Sequence, residues 1–87
     1  MTDKASEAIA RGHRAEALLT DPLMVEAFAK LEWAYFEGWK ASEPRDTEGR
    51  ERLYLAVGQL NRIREHLKGA ASSGKVEQAT LALKPQE

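Results

Sequence analysis

Residues 21–41 read DPLMVEAFAKLEWAYFEGWKA and hold five of the chain's six aromatic side chains. At about 100° per residue around a helix axis, Met24, Val25, Phe28, Leu31, Tyr35, Phe36 and Trp39 fall on one broad face. Glu26, Lys30 and Glu37 fall on the other. The segment therefore reads as an amphipathic helix over 22–41, with most of its aromatics in a core. Asp21-Pro22 is a start signal: the carboxylate accepts from free N–H groups of the first turn, and proline is already set for helical φ. Two residues break the pattern. Trp33 lies among the charges, and Glu32 lies inside the apolar face.

Downstream, SEPRD (42–46) is a short polar turn. Asp46 or Thr47 can cap the next helix, with Glu48 favourable near its positive end. Over 47–68, Leu53, Ala56, Leu60, Ile63 and Leu67 form a 3-4-3-4 apolar seam flanked by Val57. Tyr54 and Leu55 lie off that seam, whereas Arg64 lies within it and is expected to cap or pair locally. Gly69 is a natural stop after Lys68. Upstream, ASEAIARGHRAEALLT (5–20) suits a shorter first helix bearing Ile9, Leu18 and Leu19, with Gly12 weakening its middle. GAASSGKVEQATLALKPQE (69–87) reads as a flexible linker and tail. The expected fold is all-α: a long antiparallel helical hairpin (22–41 and 47–68) plus a shorter N-terminal helix, forming one domain over 1–68.

A five-residue turn makes the two long helices antiparallel neighbours. Trp33 and Tyr54 then share a level and a side, and Phe36, Val57 and Val25 lean the same way. Ala27, Ala34 and Gly38 mark the opposite side. The first helix can cover only one of these. Trp33, Phe36, Tyr54 and Leu55 are therefore the candidate protein interface, for a second copy of the chain or another protein. The competing reading is a compact three-helix monomer with Trp33 partly exposed.

The composition narrows the chemistry. Thirteen basic and fourteen acidic residues nearly cancel, and there is no cysteine. Disulfides and cysteine-based zinc sites are excluded. No apolar run is long enough to span a membrane, and MTDKASEAIARGHR (1–14) lacks a signal-peptide core. The expected location is intracellular. His13 and His66 have no metal-ligand spacing, Ser6, Ser42, Ser72 and Ser73 have no base nearby in sequence, and GAASSG lacks the features of a phosphate loop. No catalytic, cofactor or metal residue is assigned, and a non-enzymatic protein is expected. Arg50, Arg52, Arg62 and Lys68 are candidate nucleic-acid contacts, but residues 46–68 sum to only +1, which favours a solvated, salt-bridged face.

The strings RAEALLTDPLMVEAF (14–28), EGWKASEPRDTEGRERLYLAV (37–57), EHL (65–67) and Gly74-Lys75 resemble a family of small helical proteins of tailed bacteriophages and prophages of proteobacteria. The resemblance covers roughly residues 14–76. It rests on Leu18-Leu19, Asp21-Pro22-Leu23, Glu26-Ala27-Phe28, Trp39, Asp46-Thr47-Glu48, Arg50-Glu51 and Leu53. Genes of this family tend to lie among phage head and packaging genes. The resemblance thus implies a role in virion assembly, with a head, portal or packaging component as partner, in the host cytoplasm or the virion. It brings no site residues. The alternatives are a nucleic-acid-binding accessory to DNA packaging and a small regulator of a host protein.

Overall fold

A computed structural model describes residues 3–83 as three helices: α1 (Lys4–Thr20), α2 (Pro22–Ala41) and α3 (Thr47–Leu83). The all-α expectation holds. Each helix start is capped by an aspartate. Asp3 accepts from the Ser6 N–H at 2.7 Å. The Asp21 carboxylate accepts from the N–H groups of Leu23 and Met24 at 2.9 and 3.0 Å, and Pro22 opens α2. Asp46, rather than Thr47, caps α3, accepting from the Gly49 N–H at 2.9 Å. Asp21 also closes α1 through its own N–H to the Leu18 carbonyl. One residue thus separates two helices.

The largest departure from expectation is α3. It continues through Gly69 and the small, polar run after it to Leu83, a helix of 37 residues. Residues 69–83, read as a flexible linker and tail, are helical; residues 84–87 of that tail lie outside the described residues. A glycine stop works by taking up positive φ, and among the described residues no glycine does. Instead the small residues form a seat. Gly12 of α1 and Gly74 of α3 are buried against each other. A Cβ placed on either would come within 2.9 Å of the other's Cα. Ala15 and Ala71 are buried beside this crossing. Without side chains at the contact, the two backbones approach closely enough for α1 to lie along the distal half of α3.

This placement corrects a second expectation. α1 does not cover one side of the hairpin. It packs chiefly on the C-terminal half of α3 and touches α2 little, while α2 packs on the N-terminal half. The molecule is a rod of 68 × 24 × 22 Å, with α3 as its spine. Its Cα radius of gyration is 18.8 Å, against about 12 Å for a compact chain of 87 residues.

A rod two helices thick encloses little. Among the described residues, Leu60, Ala15 and Ala71 are the buried apolar ones, and no large side chain is fully buried. The expectation that most of the aromatic cluster is core therefore fails. Met24, Phe28 and Tyr35 are half-buried against α3, but Val25, Leu31, Phe36 and Trp39 are exposed. A single neighbouring helix covers only a strip of α2, narrower than its apolar face. The accessible surface is 7188 Å²; a compact monomer of 9.7 kDa exposes roughly 5,100 Å².

Candidate functional site

The exposed aromatics converge where the end of α2 meets the start of α3. Tyr35, Phe36 and Trp39 from α2 and Leu53, Tyr54 and Val57 from α3 line an open groove of about 270 Å³. Helix spacing explains the set. Phe36 and Trp39 are i,i+3 neighbours, and their rings stack with centroids 6.3 Å apart. Tyr54 and Val57 repeat that spacing on α3. No charged side chain lines the groove, but two cations lie over its rings. Lys40 Nζ is 5.4 Å from the Phe36 centroid, and the Arg50 guanidinium carbon is 4.7 Å from that of Trp39.

All four candidate interface residues are exposed: Trp33 65%, Phe36 51%, Tyr54 77% and Leu55 54%. The groove brings together Phe36 and Tyr54. Trp33 is not in its lining; it stands one turn before Phe36 on the same flank of α2. Leu55 lies further round α3, where with Tyr54 and Val57 it borders a second, more polar depression that includes Arg62. The helical wheel places Trp39 on the apolar face expected to be core. Its place in the groove follows from the turn at 42–46, which brings Arg50 and Leu53 beside it.

A smaller groove of about 200 Å³ lies where the three helices meet, lined by Leu18, Leu19, Met24, Val25, Phe28 and Ala29. The two charges that interrupt the apolar faces, Glu32 and Arg64, both border it and form an ion pair. The Arg64 guanidinium also lies 5.0 Å from the Phe28 ring centroid. Arg64, expected to cap or pair locally, donates to Asn61 one turn before it at 3.3 Å and also pairs with Glu32 on the neighbouring helix.

The candidate nucleic-acid contacts do not form a common surface. Arg50 is held over Trp39, Arg52 pairs with Glu48 at 3.1 Å, and Lys68 pairs with Glu65 at 3.4 Å. Among the described residues Arg62 has no such partner, and helical spacing puts it far round α3 from Arg50 and Lys68. Among the described residues, no group of three or more His, Asp or Glu side chains is arranged to hold a metal ion. Among them, too, no helix is long and apolar enough to cross a membrane. No protein-family model, curated protein or solved structure matches the chain.

Proposed function

We propose that this protein is a non-enzymatic assembly component that works by helix packing, associating with itself and with a structural partner through its exposed apolar flank. The observation that carries this reading is the inversion of core and surface. Among the described residues, three apolar side chains are buried, while thirteen large apolar side chains are exposed. Scattered exposed apolar residues are ordinary, but here three of them, Phe36, Trp39 and Tyr54, line one groove without charge in its lining, with Trp33 one turn away. Aromatic side chains grouped in this way are the usual anchors of protein interfaces. The resemblance to phage-encoded proteins supplies the biological setting of the proposal: assembly of a virion, with a head, portal or packaging component as the larger partner.

The nucleic-acid reading has less support, because three of its four basic residues are engaged within the chain. Light scattering on a sizing column, over a tenfold range of concentration and at two salt concentrations, separates the readings. A defined oligomer at both salts is expected, since burial of apolar surface is little screened by salt. A 9.7 kDa monomer throughout would remove self-association and redirect the search to a foreign protein. Binding to DNA that falls steeply with salt would favour the packaging accessory.

A further inference from the structure

We infer that the occupant of the aromatic groove is Trp33 of a second copy of this chain, in a two-fold symmetric dimer; this rests on the self-association proposed above and specifies its geometry. The flank carries both halves of a complementary pair. Trp33 is a knob, 65% exposed and unsupported by the groove beside it. The groove, lined by Tyr35, Phe36, Trp39, Leu53, Tyr54 and Val57, is a hole of about 270 Å³. They lie about one helical turn apart. A two-fold axis lying in the plane of the interface, perpendicular to the helices and midway between knob and hole, exchanges the two, so that each chain's knob meets the other's hole. The two α2–α3 hairpins then form an antiparallel four-helix arrangement, a standard way for such helices to enclose a core.

Two further observations favour a copy of the chain over a foreign partner. The chain exposes about 2,000 Å² more than a compact monomer of its mass, and obligate dimers remove about 1,000–2,500 Å² per chain. Among the described residues its own core is also thin, with Ala15, Leu60 and Ala71 the buried apolar side chains, so the single chain gains from a cover that accompanies every copy, as a second copy does by construction.

The test uses the full chain and two changes at exposed positions, Trp33→Glu and Tyr54→Lys. Wild type should run as a dimer by light scattering. Each variant should keep its helical circular dichroism and dissociate, with a dimer Kd raised roughly 30-fold or more. An equimolar mixture of the two should recover dimer. The introduced carboxylate and ammonium then meet across one half of the interface, and the native pair completes the other. If both variants stay dimeric, the knob-and-hole geometry is overturned while self-association stands. If the mixture stays monomeric, the crosswise pairing is overturned. A wild type that is monomeric at the outset removes the dimer and self-association together.

Discussion

At the residue scale, glycine plays opposite roles in the same fold. In a helix interior it ordinarily costs about 1 kcal/mol relative to alanine. Gly69 has no atom within 4 Å of where a Cβ would stand, so Gly69→Ala should raise stability by about 0.5–1 kcal/mol. At Gly12 the added carbon would meet the Gly74 Cα at 2.9 Å and the Ala70 carbonyl oxygen at 3.1 Å. Both are backbone atoms and cannot turn aside. Gly12→Ala should therefore cost about 1–3 kcal/mol despite the better helix propensity. Thermal unfolding followed by circular dichroism reads both signs, and a stabilised Gly12→Ala would mean that α1 is not seated on α3. The Glu32–Arg64 pair makes a second claim at this scale. Its side chains are 39% and 28% exposed, against 80% and 76% for Glu48–Arg52. A double-mutant cycle with alanine should give about 1 kcal/mol of coupling for the former and about 0.3–0.5 kcal/mol for the latter. Equal values would leave the inter-helix pair as an ordinary surface contact.

At the scale of elements, helix starts were legible and the partner of α1 was not. Asp21-Pro22 and Asp46 announce their helices because capping is local chemistry, satisfied within three residues. The end of α3 is not local. Gly69 looks like a stop, and the run after it has no apolar period, because what holds residues 70–74 in place is the near absence of side chains facing another glycine 62 positions earlier. A wheel that scores apolar bulk does not register a seat made of small residues. The same blindness misplaced α1, and with it the core: Val25, Leu31, Phe36 and Trp39 face the right sector of α2, but the helix expected to help cover them lies elsewhere. The candidate groove was half legible. Phe36 and Tyr54 followed from the periodicity, whereas Trp39 needed the turn geometry. If α1 depends on the distal half of α3, a chain ending at Lys68 should lose more helix than was removed. The loss by circular dichroism should include most of α1's 17 residues as well as the deleted stretch. A loss matching only the deleted stretch would show that α1 holds its structure without its seat.

At the scale of the whole molecule, the proposed self-association would make folding and association one equilibrium. A rod with a radius of gyration of 18.8 Å leaves apolar surface in water that a globule of the same mass would bury. The hydrophobic contribution missing from the single chain is recovered only when another surface covers α2 and α3. Stability then belongs to the assembled state, and mass action makes it depend on concentration. For a dimer that unfolds as it dissociates, the unfolding midpoint should climb steadily as protein concentration is raised over two decades, by several degrees in all for a chain this size. The Trp33→Glu variant should show a lower midpoint at every concentration. Salt should move the wild-type midpoint little, because the ion pairs at the surface are exposed and individually weak. A midpoint independent of concentration, on a cooperative transition, would mean that the three helices hold one another without help. The exposed aromatic flank would then be a surface that the fold does not need, kept for a partner the chain meets only after folding.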